Sequence, residues 1–287
     1  MEKLNYLNVG CGSKRHKAWY NVDMKYISED VITANLLKGI PFPDKFFDVV
    51  YHSQVLEHIP KEKSQAFIKE CFRVLKPDGI IRVVVPDLEN IVDEYKKFLN
   101  ENLENPNELS DANYDWILLE MYDQTVRNYT GGQITELLKQ PYLINEKYIL
   151  DRMGFVGNTV RNSYLNKNIG NTFTDKIKKA FSSMILFKKA VSSTFIKMRQ
   201  KTSLMMTSEL SKIGALRMGG EIHLWMYDRY SLSRLLRNCG FEEISIKSPF
   251  ESDIPKWKEY ELDVKEDMVF DPTSLFVEAR KKAMPKV

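Results

Sequence analysis

The six residues Ile80 to Val85 (IIRVVV) constrain the fold of this chain more than any other stretch. All but Arg82 are apolar and β-branched, and the run lies between Lys76-Pro77-Asp78-Gly79 and Pro86-Asp87. Such a run reads as a central strand covered on both faces, the environment of a parallel sheet. Its surroundings agree. Leu4 to Val9, Tyr20 to Met24, Val31 to Leu36 and Phe47 to Tyr51 read as four earlier strands. Lys61 to Leu75 places Phe67, Ile68, Cys71, Phe72 and Leu75 at the spacing of a helix with one buried face, and Pro77 and Gly79 are expected to stop it. Further on, Tyr230 to Cys239 reads as an amphipathic helix closed by Gly240. Glu243 to Lys247 and Ser274 to Arg280 then read as strands, the last of them antiparallel. Strands alternating with helices across short turns predict an α/β, doubly wound, mostly parallel sheet.

The stretch 88–221 is mostly helical in its periodicity and too long for a plain loop. It is expected to be a helical insertion after the fifth strand, a lid or substrate region. Residues 1–87 and 222–287 would then form the cofactor-binding domain.

The formal net charge of +3 gives no bulk reason to expect a nucleic-acid partner. That average hides an uneven distribution. Between Phe173 and Ile213, nine basic residues face two acidic ones, a net +7 that leaves −4 for the rest. Apolar residues at Phe173, Ile177, Phe181, Met184, Val191, Phe195 and Met198 give this segment one helical stripe. Three roles fit it: weak contact with an anionic membrane surface, a lid that attracts an anionic acceptor, or a solvated surface or dimer-contact helix. Cys11, Cys71 and Cys239 are widely spaced, so neither a disulfide framework nor a metal site is expected. With no secretory leader visible, a cytoplasmic location is expected, peripheral at the membrane's inner face if the basic segment binds lipid.

Leu7-Asn8-Val9-Gly10-Cys11-Gly12-Ser13 ends the first strand in a glycine turn that lets a ligand approach the backbone. Asp23 closes the second strand, where a carboxylate can accept two hydrogen bonds from a ribose diol. A dinucleotide dehydrogenase is disfavoured. Asp23 comes only eleven residues after Gly12, where a full intervening helix would put an acid about 20 residues on. Any helix between them would be two turns at most, over Lys14 to Trp19.

Taken together, LNVGCGS (7–13), Asn21-Val22-Asp23, Pro41-Phe42-Pro43-Asp44, Phe47-Asp48-Val49-Val50, Leu56-Glu57-His58 and Leu75-Lys76-Pro77-Asp78-Gly79 resemble the class I S-adenosylmethionine (SAM)-dependent methyltransferases in order and spacing. The nearest likeness is to the small-molecule branch related to quinone-biosynthesis enzymes, especially members associated with surface-glycan biosynthesis. The resemblance covers about the first 90 residues and the last 70. It implies a seven-stranded Rossmann-like sheet, SAM as cofactor, and methyl transfer to a small-molecule or glycan acceptor, above all a sugar hydroxyl in surface-polysaccharide biosynthesis. It also implies that Gly10, Cys11 and Gly12 border the methionine end of SAM and that Asp23 holds the ribose. Asn35 and Leu36 would lie beside the adenine, and the segment from His52 would line the transfer site. Lys14 stands where many relatives have a third glycine, and Asn35 where many have an acid. The alternative from another class is a non-catalytic SAM-fold module that binds a partner or membrane through the insertion.

An oxygen acceptor can need a base, and three candidates stand near the expected site. His58 belongs to the LEH motif, Asp87 follows the central strand, and His223 lies in Gly219-Gly220-Glu221-Ile222-His223-Leu224-Trp225-Met226-Tyr227-Asp228. His223 is favoured because a neutral imidazole is available near pH 7. Asp87 is equally suited to cap the following helix, and His58 to bond the backbone. Trp225 and Tyr227 are the aromatic acceptor contacts expected from that segment. Gln124 and Arg127 lie at i, i+3 and could address one ligand, Arg127 through a bidentate pair with an acidic group.

Overall fold

The computed structural model describes residues 4–165, 210–217 and 219–282. Seven strands form one sheet in the order β3-β2-β1-β4-β5-β9-β6. These are β1 (Tyr6–Val9), β2 (Tyr20–Asp23), β3 (Val31–Thr33), β4 (Phe47–Ser53), β5 (Leu75–Pro86), β6 (Phe241–Lys247) and β9 (Ser274–Lys281). The first five run parallel, and β9 lies antiparallel between β5 and β6. This is the expected seven-stranded, mostly parallel sheet. Two short strands, β7 (Val264–Lys265) and β8 (Met268–Val269), pair with each other outside it.

The run at 80–85 is central, and its alternation divides it between two layers. Ile81, Val83 and Val85 join the core under α1 (Lys61–Val74) and α7 (Arg229–Asn238), with Phe67, Ile68, Leu232 and Leu236. Ile80 and Val84 face the other layer, beside Tyr6, Trp19, Tyr51, Trp257 and Phe276. No helix forms between β1 and β2, so the short connection there carries none of the two turns allowed for it. Aromatic side chains cover that face instead. Trp19 packs on Tyr6, Tyr51, Trp257 and Tyr260, with ring centroids 4.9 to 6.1 Å away.

Arg82 also points into this layer and is fully buried (0 % exposed). Its guanidinium donates to Asp263 at 2.7 Å and Glu278 at 2.6 Å, and to the Glu251 carbonyl at 2.9 Å. The Tyr51 hydroxyl donates to the second Asp263 oxygen at 2.7 Å. A strand that reads as apolar but for Arg82 therefore carries a buried ion cluster whose partners lie about 170 to 200 residues downstream.

Lys76-Pro77-Asp78-Gly79 does not simply end the helix. α1 stops at Val74, and the four residues lie within β5, where the β4 register shifts between Phe47 and Val49 and Asp78 takes φ +62°.

Between β5 and α7 the described residues are mostly helical: α2 (Leu88–Glu104), α3 (Glu108–Val126), α4 (Gly132–Leu138), α5 (146–165) and α6 (210–217). Phe98, Trp116, Ile117, Leu138, Leu143 and Ile149 give this region a core of its own. Among the described residues, no helix is long and apolar enough to cross a membrane. The basic segment 173–213 lies outside the described residues except for 210–213.

Candidate active site

A cleft of about 410 Å³ opens at the carboxyl ends of β1, β2 and β4, where parallel α/β sheets take their ligands. Gly10 and Asp23 stand on one side, Leu36 and Leu37 on another, and Gln54, Val55, His58 and Ile59 form the wall after β4. Arg217, Gly219, Gly220 and Leu224 close it from the end of the helical region.

The glycine turn is required by its geometry. Gly10 has φ +66°, and a Cβ there would stand 2.4 Å from a Val55 methyl. Its N–H and that of Cys11 donate to the Val22 carbonyl at 2.8 and 3.1 Å, which binds the turn to the end of β2. Asp23 is oriented by two backbone donors. One carboxylate oxygen accepts from Gly12 N–H and the other from Lys25 N–H, both at 2.9 Å. A carboxylate offers about four lone-pair directions, so the remaining ones are left for a diol at the cleft.

Not every residue expected around the cofactor lines this cleft. β4 runs two residues beyond Tyr51, so His52 is a strand residue whose ring packs on Phe67 in the core, 5.2 Å between centroids. Neither of its nitrogens has a partner, and burial pushes its pKa down to about 3. The lining begins at Gln54 instead. Cys11 turns its thiol into the protein, where burial raises the pKa to about 11, so only its backbone serves the turn. The Asn35 side chain accepts from Leu37 N–H at 3.0 Å and stands outside the cleft lining, while Leu36 and Leu37 line it.

Residues 7–83, the stretch holding β1 to β4 and most of β5, match the methyltransferase domain family. Over that stretch the chain is similar to methyltransferase domains. A probable S-adenosylmethionine-dependent methyltransferase of Mycolicibacterium smegmatis is 39% identical over 67 residues, 23% of this chain and 25% of its own length. An uncharacterized protein of Haemophilus influenzae is 27% identical over 168 residues, covering 55% of this chain and 64% of itself. A solved SAM-dependent methyltransferase from Archaeoglobus fulgidus aligns over 97% of this chain and 86% of its own, with 12% identity and a TM-score of 0.36. The chain spans less than two thirds of the length of these curated relatives. The Mycolicibacterium smegmatis relative is named for S-adenosylmethionine, and the residues present here fit that cofactor: a backbone turn without side chains at Gly10, and a carboxylate at Asp23 held by the turn itself.

Of the three candidate catalytic groups, only His58 lines the cleft. Its Nδ1 donates to the Ile222 carbonyl at 3.0 Å, which leaves the Nε2 lone pair free. Burial holds it neutral by lowering its pKa. The structure brings His223 beside it, ring centroids 4.9 Å apart, although 164 residues separate His58 from the neighbouring Ile222. The imidazole stays neutral near pH 7, as expected, but is weakly basic. His223 is 8 % exposed, and burial pushes its pKa down to about 3, far from the range in which a general base works best. Asp87 caps α2, its carboxylate accepting from Glu89 N–H at 3.0 Å, and lies outside the cleft.

The acceptor contacts also rearrange. α3 ends at Val126, but Arg127 has a helical φ of −59° and donates its N–H to the Asp123 carbonyl at 2.9 Å, so it keeps its place one turn from Gln124. The Arg127 guanidinium is spent on Asp123 at 2.9 Å and Glu221 at 3.2 Å, and its side chain is only 7 % exposed. Tyr227 is a core residue under α1. Its carbonyl accepts from Leu88 N–H at 2.9 Å, and this bond ties the segment to the end of β5 and into the core. Trp225 does reach the surface, 39 % exposed, with the Lys61 ammonium 3.7 Å from its ring centroid. It shares a second pocket, of about 460 Å³, with His223, Leu224 and Arg217, while Gln124 meets His223 in a smaller one.

Glu57 was not singled out as a site residue, yet it stands at the centre of this arrangement. It is fully buried, neither carboxyl oxygen has a hydrogen-bond partner, and burial raises its pKa to about 8. Only the LEH motif itself could have flagged it.

Proposed function

We propose that the protein transfers a methyl group from SAM to a small-molecule or glycan acceptor, most readily a sugar hydroxyl, within surface-polysaccharide biosynthesis in the cytoplasm. The observation that carries this reading is the Asp23 carboxylate, fixed by Gly12 and Lys25 N–H groups at the rim of a cleft that Gly10 keeps open. Bound there, SAM supplies an electrophilic methyl and its own leaving group, so the chain's task is alignment and exclusion of water. Asp23 orients the ribose, Leu36 and Leu37 give the adenine an apolar wall, and His58 stands on the opposite wall. The exposed Trp225 ring beside the second pocket offers a flat surface to a sugar. The domain division at 87/88 and 221/222 belongs to the same proposal, with the helical region covering the acceptor and the basic segment 173–213 drawing in an anionic one.

Isothermal titration with SAM and its demethylated product tests the cofactor half, and binding of both is expected. If neither binds, the methyltransferase reading fails. A panel of nucleotide sugars and glycan precursors with labelled SAM tests the acceptor half, with label expected on a sugar oxygen. Label only on nitrogen-containing small molecules would overturn that part.

A further inference from the structure

We propose that Glu57, His58 and His223 form a binding site for a divalent transition-metal ion. One ligand atom from each residue lies within 4.8 Å of the others, and His58 Nε2 is 3.9 Å from Glu57 Oε1. Ligands of a tetrahedral ion at about 2.1 Å stand roughly 3.4 Å apart, so modest side-chain rotations close the set. Three further observations point to a cation. The Glu57 carboxylate is wholly buried without a partner, an arrangement that proteins avoid unless an ion or proton compensates it. His58 already donates its Nδ1–H to the Ile222 carbonyl, the outer bond by which metal-ligating histidines are aimed. The nearby cation Arg127 is paired with both Asp123 and Glu221, which offset its repulsion of a bound ion.

Two imidazoles and one carboxylate favour a zinc-like or iron-like ion over magnesium, which prefers oxygen donors. His223 comes from the far end of the helical region, so the site exists only in the folded chain. Its second consequence rests on the methyltransferase reading. Because His58 lines the cofactor cleft and His223 the second pocket, the ion would stand between the two and make an acceptor hydroxyl bound to it more acidic. Coordination would then use the Nε2 lone pair of His58.

The test is titration of the metal-free full chain with Co²⁺ alone, followed by visible absorption and by metal analysis after dialysis. One equivalent, with ligand-field bands that Zn²⁺ displaces, is expected. Glu57→Gln and His223→Ala should each weaken Co²⁺ binding at least tenfold. Absence of a saturable site in the unaltered protein, or titrations unchanged by both substitutions, would overturn the proposal. The unaltered protein decides the matter even if a variant does not fold. SAM titration of the same samples keeps the two readings apart. Loss of SAM binding with an intact cobalt site overturns the methyltransferase reading alone, and SAM binding without a cobalt site overturns this one alone.

Discussion

At the scale of single residues, the proposed cofactor site rests on Asp23. Hydrogen bonds to a charged acceptor contribute about 1.5–3 kcal/mol each, so Asp23→Ala should weaken SAM binding tenfold or more in isothermal titration. An unchanged affinity would remove the ribose assignment. His52 makes a separate prediction. With its folded pKa near 3, it stays neutral while the unfolded chain takes up a proton below about pH 6.5. The stability it contributes is therefore complete above that pH and is lost as pH falls towards 3, by up to ~1.4 kcal/mol per unit. Between pH 7 and 5.5, urea unfolding should show the unaltered protein losing about 1 kcal/mol more than His52→Leu. Equal losses would mean that the buried ring is protonated in the folded state. Gly10 and Asp23 were legible in the sequence because a glycine turn and a carboxylate at adjacent strand ends are local features. His52 was not, because its role depends on where β4 ends. Two more residues of strand turn it from a cleft residue into a core one.

At the scale of elements, helix caps and strand faces decide stability. Asp87 satisfies an orphan N–H of α2, so Asp87→Ala should cost about 1 kcal/mol of unfolding free energy. A loss well beyond that would assign the side chain more than a cap. β5 shows a stronger dependence. Removing Arg82 leaves Asp263 and Glu278 buried without their cation, so Arg82→Ala should destabilise the fold by roughly 3–5 kcal/mol in urea unfolding. Arg82→Lys should fall between, keeping the charge but losing the fork that reaches both acids. A cost below 1 kcal/mol would mean that the carboxylates are neutral or relax into water. The pattern of the run marked it as a strand buried on both sides. It could not mark one buried residue as an arginine with partners, since Asp263 and Glu278 look like ordinary surface acids along the chain.

At the scale of the molecule, the sheet and the helical region meet around one cleft, and ligand binding should stabilise the whole. A cofactor that binds only the folded chain adds about 2.7 kcal/mol at a hundredfold excess over Kd. For a protein of this size that is a rise in Tm of roughly 4–5 °C, readable by thermal unfolding against SAM concentration. A flat Tm would count against a preformed site.

The opening feature, a β-branched run between two turn signals, determined by itself that a covered parallel sheet would form. The local spacing of glycines and acid determined that a cleft would open at the carboxyl end of the sheet, where a nucleoside site is proposed. Those signals act over a few residues, where periodicity and backbone freedom are fixed by the adjacent side chains. Only the tertiary structure decided which polar residues are spent and which are left to act. It paired Arg127 with Asp123 and Glu221, sent Tyr227 into the core, and set His223 beside Glu57 and His58. Burial and partnership are set by contacts between distant segments, and no local pattern in the chain carries them.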